Sequence, residues 1–555
     1  QNQKDYYNLM SVYLDAAFFP KIESLSFKQE GYRLELEPVE GKPDRLTFKG
    51  VVFNEMKGAM SSPDQVMGRS LLNALYPDTT YHYNSGGDPE VIPQLSYEQL
   101  VAFHRRHYHP SNAYFYTYGN LPLEAHLKAI NEHVLCHFER IDPQTEVPSQ
   151  PRWPAPREMT YTYPMDKVEG SEKKYQFCTA WLVADIKDTF EILVLAVLEQ
   201  VLMGNSASPL RKALIESQLG ASLSDGSGYD AENRDTLFTC GLKGAGADAG
   251  PDVWRLITEV MNDLANNGID LQLVESAIHQ IEFHRKEVTN TPYPYGIKLL
   301  LSFAAGWFHG GDPIRVIQID DDLARLREEI SRGGFLEKMI RHYFLENPHR
   351  VQFTLAPDPE KTDRMIQQEM EQLAQISLSL TDGDKEKIRS DAEALKQQQD
   401  RVEDVSVLPT LALSDISPEV EIISPTMITE TTDRTFYYDR STGGIFYFNA
   451  AVMGQSLDSS LIPLVPFFCY AVTRTGTRRH DYVEFSKLMD LYTGGIALGA
   501  SARTMYNEKG DLIPLITFSG KCLDRNQEAM FSLIEELWLD YLFEDHTRLR
   551  NLLLE

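Results

Sequence analysis

One order of segments occurs twice in this chain, and it limits the fold more than any single motif. From Tyr175 an alternating strand (Tyr175, Phe177, Thr179, Trp181, Val183) leads into a nearly all-apolar helix over Asp188 to Met203, stopped by Gly204. A short helix (Pro209 to Ser217), strands around Leu237 to Leu242, and helices over Asp252–Asn266 and Leu271–Lys286 follow. From Gly444 the order returns. A strand to Val452 precedes an apolar helix from about Ser460 to Thr475, which Gly476 ends. A polar helix (Asp481 to Tyr492), Thr493-Gly494-Gly495, strands and a helix near Asn526–Phe543 complete it. A helix that is apolar all round is buried on most faces. The period is far too long for a solenoid. The expected fold is therefore built from repeats of an α/β unit.

The first region enters this order late. Its helix over Asp5 to Pro20, with Asp5 as cap and Leu9, Val12, Tyr13 and Ala16 on one face, corresponds to Asp252–Asn266 and Asn526–Phe543. Its own opening strand and buried helix are expected before Gln1. The 555-residue chain, with no starting Met and a polar Gln1-Asn2-Gln3-Lys4-Asp5 opening, is expected to be part of something longer. Within this region Tyr32–Glu37 reads as a strand and Pro63 as the first-turn proline of a helix. Ser96 and Gln99 have capping-box spacing, and Tyr114–Tyr118 alternates as a strand. Five prolines between Asp142 and Pro156 mark an extended linker. Glu360–Leu380 and Asp384–Arg401 read as a helical hairpin. Ile366, Met370, Leu373 and Leu380 line one helix, and Ile388, Ala392 and Leu395 the other; Thr381 and Asp384 cap the turn. The expected domains are 1–141, a linker at 142–165, 166–358, the hairpin at 359–407, and 408–555.

The 53 basic and 81 acidic residues give a formal charge of −28, which argues against nucleic acid as the main partner and suits basic peptides. Five scattered cysteines, Cys136, Cys178, Cys240, Cys469 and Cys522, form neither a disulfide framework nor a thiolate zinc site. They read as free thiols in a reducing compartment. No apolar run reaches the roughly 20 residues that span a bilayer, so no membrane partner is expected.

Neither H-x-x-E-H nor H-E-x-x-H is present among the 14 histidines. His104 and His107 share a helix face and could hold a metal; the plainer reading is a helix end whose dipole favours cationic His and Arg before Pro110. His126 and His133 read as solvated. Gly86-Gly87, Gly310-Gly311 and Gly494-Gly495 make no phosphate loop, and G-x-S-x-G is absent. Glu55, in Asn54-Glu55-Met56-Lys57-Gly58, reads by itself as a helix-surface carboxylate beside Lys57.

Several stretches together resemble the presequence proteases of the pitrilysin/insulinase superfamily of inverted-motif zinc peptidases. They are Ser11-Val-Tyr-Leu-Asp-Ala16, Gln29-Glu-Gly-Tyr-Arg33, Phe48–Gly58, Ser85-Gly-Gly-Asp-Pro89, His107-Tyr-His-Pro-Ser-Asn112, Leu411-Ala-Leu-Ser-Asp415 and Thr493-Gly-Gly495, in family order across nearly the whole chain. The resemblance implies the α+β class with α/β sandwich repeats: pitrilysin-like domains, each an antiparallel-rich sheet packed with helices, in two halves joined by a helical hairpin. It implies a zinc endopeptidase that encloses short unstructured peptides, with Zn²⁺ held by two His of an H-x-x-E-H helix and by Glu55. The His pair and the general-base Glu are then expected upstream of Gln1, so no catalytic residue is expected in this chain and the chain is expected to be inactive and free of zinc. A monomer in a bacterial cytoplasm is expected, or alternatively in a mitochondrial or plastid matrix. The alternative function is a non-catalytic peptide-binding or structural member of the same superfamily.

Overall fold

The computed structural model describes residues 2–554 apart from 168–169, 171, 206, 421, 429–433, 455–456, 505–509 and 511. Gln1 and Glu555, the outer bounds of the first and last expected domains, lie outside the described residues. The first region comprises α1 (Gln3–Phe18), α2 (Ser24–Glu30), the hairpin of β1 (Arg33–Val39) and β2 (Lys42–Lys49), α3 (Val51–Ala59), α4 (Pro63–Leu75), α5 (Tyr97–His107) and α6 (Leu123–His133). Asn2 rather than Asp5 caps α1, accepting from the Asp5 N–H at 3.1 Å. Asp5 instead sits in the first turn, where a carboxylate suits the helix dipole. Leu9 and Tyr13, expected to be lining residues, are 57% and 70% exposed. The helix docks instead through Tyr6 and Tyr7 on His126, and through Phe18 on Phe115 and Phe138.

The second region holds β3 (Arg157–Pro164), β4 (Tyr175–Asp185), α7 (Thr189–Met203), α8 (Pro209–Glu216), β5 (Ser222–Leu223), β6 (Gly228–Asp230) and β7 (Asp235–Ala245). Next come α9 (Gly250–Asn267), α10 (Leu271–Lys286), α11 (Tyr295–Phe308), α12 (Pro313–Ile317), α13 (Asp320–Ser331), α14 (Phe335–Ile340) and β8 (Arg350–Asp358). Its sheet has the order β3-β8-β4-β7-β5, with β6 also on β7; β3 and β8 are parallel and the other pairs antiparallel. Phe177, Trp181 and Val183 of β4 face a core with α7 and α9, whereas Cys178, Ala180 and Leu182 face the other way. Strand side chains alternate between faces, and here both faces are covered. The second face is covered from the first region: Val66, Met67, Leu71, Ala74 and Leu75 of α4 pack against it.

The helical hairpin is α15 (Lys361–Ser379) and α16 (Asp382–Gln399), with the Thr381–Asp384 capping box formed. It lies on the β1–β2 hairpin: Leu373, Ile376 and Ile388 join Leu46, Phe48 and Phe53 in one cluster. Ile366 and Met370, expected on the lining face, are 51% and 66% exposed. The third region has β9 (Thr426–Ile428) paired with β10 (Thr435–Tyr437), then β11 (Ile445–Met453), α17 (Val465–Val472), α18 (Tyr482–Tyr492), β12 (Ile496–Thr504), β13 (Leu512–Leu523) and α19 (Gln527–Leu539). Its sheet order is β11-β13-β12, all antiparallel. The chain order β4-α7-α8-β5-β6-β7-α9 thus returns as β11-α17-α18-β12-β13-α19, as the doubled sequence order requires. The fold is α+β, with antiparallel-rich sheets packed by helices.

Two local expectations change. Residues 113–118 are extended but belong to no strand. Their alternation places Tyr114, Tyr116 and Tyr118 on α11, against Trp307 at 4.2 Å, Phe303 at 5.7 Å and Tyr295 at 5.8 Å. An alternating apolar face needs an apolar surface, and here a helix supplies it. The proline-rich stretch has no regular secondary structure from 138 to 153, yet it is no free spacer, since Gln150 and Trp153 are buried. Residues 157–164, within the stretch read as linker, form β3.

Candidate functional site

Glu55 stands on α3, a nine-residue helix. Helices this short are marginal alone, so the surroundings set its place. Gly50, just before the helix, has φ 154°, and a Cβ there would lie 2.2 Å from the Gly31 carbonyl oxygen. That close approach of two backbones requires glycine. Phe53 is buried with Phe48, Ile92 and Leu373. Lys57 lies over the Phe53 ring at 5.3 Å and pairs with Glu369 of α15 at 2.6 Å. Gly86 of the Ser85–Pro89 turn presses on Met56, where a Cβ would lie 2.5 Å from the sulfur. Asp88 fixes that turn by pairing with Arg69 at 2.7 Å and accepting from the Glu90 N–H at 2.9 Å. The Ser85–Pro89 turn, which follows later in the sequence, therefore supports the helix within Phe48–Gly58.

At about 100° per residue, Glu55 points some 200° away from Phe53, and it is exposed, beside exposed Asn54 and Gly58. Its side chain has no hydrogen-bond or ion-pair partner among the described residues. A catalytic zinc site needs three protein ligands. Among the described residues no group of three or more His, Cys, Asp or Glu could hold a metal ion. The described residues do not by themselves fit a zinc ion and support no catalytic step through one.

The histidines are committed elsewhere. His104 meets the Ala17 carbonyl at 3.0 Å and stacks on Tyr108, while His107 stacks on Phe103. They do not converge on a common point with a third ligand. His126 is buried rather than solvated: its ring packs against both Tyr6 and Tyr7, with Nδ1 3.3 Å from the Tyr7 hydroxyl. His133 is exposed. Gly494 serves packing, since a Cβ there would lie 2.1 Å from the Phe283 ring. No helix among the described residues is long and apolar enough to cross a membrane.

Two polar clusters escaped the sequence reading. One joins the first and second regions. Gln150 donates its backbone N–H to Asp235 at 2.7 Å and its amide to Asp78 at 2.7 Å, and Arg152 pairs with Asp235 at 3.1 Å. His349, beneath Trp153, is fully buried. The other joins the second and third regions. Glu282 of α10 is buried and accepts from Arg525 (2.8 Å), Lys286 (3.0 Å) and Arg327 (3.0 Å). Hydrogen bonds from Arg525 first, and then from Lys286 and Arg327, hold its carboxyl well below the usual range. Nearby, Lys521 pairs with Glu287 at 2.6 Å, and the His279 ring meets the Asp490 carbonyl at 2.9 Å. Burial, only partly offset by the Asn205 amide, raises the Asp490 carboxyl.

Parts of the chain match known families. Residues 94–281 match the family described as "Peptidase M16 inactive domain", and residues 355–555 match the family of domains associated with the C subfamily of M16 peptidases. Both matches are to models of M16 peptidases. The chain is 38% identical over its full length to the mitochondrial presequence protease of Xenopus tropicalis, covering 54% of that protein. It is 32% identical over its full length to Protein HypA of Clostridium perfringens, covering 57% of it. The chain thus spans about half the length of the curated relatives it matches. A crystal structure of the first half of the periplasmic protease PqqL from Escherichia coli overlaps with TM-score 0.43 at 13% identity, covering 67% of this chain and 76% of that one.

Proposed function

We propose that this chain is part of a zinc-dependent endopeptidase for short unstructured peptides, and that Glu55 is the one zinc ligand it contributes. The observation that carries this is the exposed Glu55 carboxylate, which has no partner among the described residues and stands on a short helix in a chain 38% identical over its full length to a presequence protease. The other ligands and the general base would come from an H-x-x-E-H helix that this sequence does not contain. The α7 and α17 helices, which hold the corresponding place in the two later repeats, carry no His, consistent with non-catalytic copies. When bound, zinc would polarise the scissile carbonyl and acidify its water. The substrates would be peptides enclosed between two halves, and the complete protein would act as a monomer. The proposed domains are those set out from the sequence, except that residues 157–164 of the linker belong to the second sheet, on which α4 also docks. A mitochondrial relative and a bacterial one support either compartment expected above.

The test is zinc content and peptide hydrolysis in two polypeptides: this 555-residue chain, and a longer one carrying the H-x-x-E-H helix ahead of Gln1. The short chain is expected to retain no stoichiometric zinc and to leave peptides intact. The longer one is expected to hold one zinc and cleave, and to lose both on Glu55→Gln. Tight zinc on the short chain, or zinc retained by the longer Glu55→Gln variant, overturns the assignment.

A further inference from the structure

His349 joins three parts of the molecule. Its Nε2 lies 3.0 Å from the Leu75 carbonyl at the end of α4, so that nitrogen donates. Its Nδ1 lies 3.2 Å from the Trp153 backbone N–H, so that nitrogen accepts. Both partners are backbone groups with fixed roles, so one neutral tautomer satisfies both bonds and the imidazolium satisfies only one. The ring stacks on Trp153 at 3.8 Å, and Arg157 covers that indole at 4.1 Å. The backbone at His349 is tied to the sheet: its carbonyl accepts from Leu182 at 3.1 Å and its N–H donates to Asn347 at 2.9 Å. With the backbone held, the ring cannot swing away from the Trp153 N–H without giving up its bond to the Leu75 carbonyl or its stack on the indole.

We propose that the neutral imidazole of His349 is an acid-released bolt, whose protonation unpins the proline-rich segment and the end of α4 from the second sheet. A proton on Nδ1 would set two donors, the ring and the Trp153 N–H, against each other in a buried site. The charges that face the ring oppose it too. Arg152 and Arg157 come from the proline-rich side; Asp78, after α4, is the opposing carboxylate, and the Gln150 amide binds it. Asp235 of β7 takes up Arg152. Burial foremost, then the two arginines, push the basicity of His349 down to about 4. A histidine with depressed basicity stabilises its docked state above its free value of about 6.5 and loses that contribution as pH falls towards the docked one. The opening is local, because the apolar face of α4 remains packed on the sheet.

Amide hydrogen exchange on the whole chain at pH 7 and pH 5, corrected for intrinsic rates, tests this. Peptides covering residues 75–82 and 150–157 are expected to lose protection about 20-fold at pH 5 relative to pH 7, while 237–242 in β7 keeps its own. His349→Gln removes the titration, and its protection there is expected to be independent of pH across this range. Exposed Arg157→Gln takes away one repelling charge and is expected to move the wild-type midpoint to higher pH. Wild-type protection that is flat to pH 5 overturns the proposal, and so does a His349→Gln variant that loosens as the wild type does. If His349→Gln does not fold, an unmoved midpoint in Arg157→Gln overturns it.

Discussion

The seam between the first and second regions and the seam between the second and third are built from different materials. At the first, an α4 face of Val66, Met67, Leu71, Ala74 and Leu75 lies on the sheet, and the polar ties at its end centre on a neutral histidine. At the second, Phe283 enters the third region beside Ile445 and Leu523, and around it sit Glu282 with its three cations and the Lys521–Glu287 pair. The first seam relies mainly on area removed from water, with His349 and the Arg152–Asp235 pair as its ionisable ties. The second combines one aromatic anchor with charges that must remain ionised. The two seams should therefore fail under different conditions.

The largest difference should come from Phe283→Ala. Removing a fully buried ring at the second seam is expected to cost about 4 kcal/mol. Urea unfolding followed by exchange at 445–453 should report it, with β4 unaffected; an equal loss in β4 would mean the regions unfold as one. Glu282→Gln should cost about 2 kcal/mol, because three cations lose their charged acceptor but remain partly solvated. Gly50→Ala should destabilise the α3 neighbourhood by about 2 kcal/mol through its backbone clash and positive φ, without touching either seam. Acid should separate the seams in order. His349 loses its contribution as pH falls below about 6.5, whereas Glu282, held below its ordinary value, contributes fully above about 4.5 and loses that only at lower pH. Exchange at pH 5 should thus show the first seam loosened locally and the second intact; the reverse order would refute the comparison. The smallest effect should be that of 1 M salt on the second seam, below about 1 kcal/mol, since most of its cations are half exposed.

Much of this was legible in the sequence. The doubled order of elements, the Thr381–Asp384 cap, the Ser96–Gln99 cap and the helix carrying Glu55 all depend on residues within a few positions of one another. A repeated unit mixing helix and strand followed from that order, while the antiparallel-rich α+β class came with the family resemblance. Local pattern misled where it had to name a partner. The Tyr114–Tyr118 alternation correctly gave an extended chain with one apolar side, but α11, nearly 200 residues on, took the place of a neighbouring strand. His126 looked solvated because its cover, Tyr6 and Tyr7, lies some 120 residues earlier. The prolines marked a stretch without regular structure up to residue 153 but could not show that Gln150 and Trp153 are pinned to Asp235 and His349.

By itself, then, the sequence determined the repeated units, their element types, and a carboxylate placed on a short helix in a family-like setting. The tertiary structure alone decided that α4 completes the second sheet, that Gly50 and Gly86 allow the close approaches that fix α3, and that Glu282 and His349 sit at seams. The reason is physical. Helix and strand periodicity, caps and turns are written in neighbouring residues, whereas burial of a titratable group and the identity of its partners depend on which distant surfaces meet.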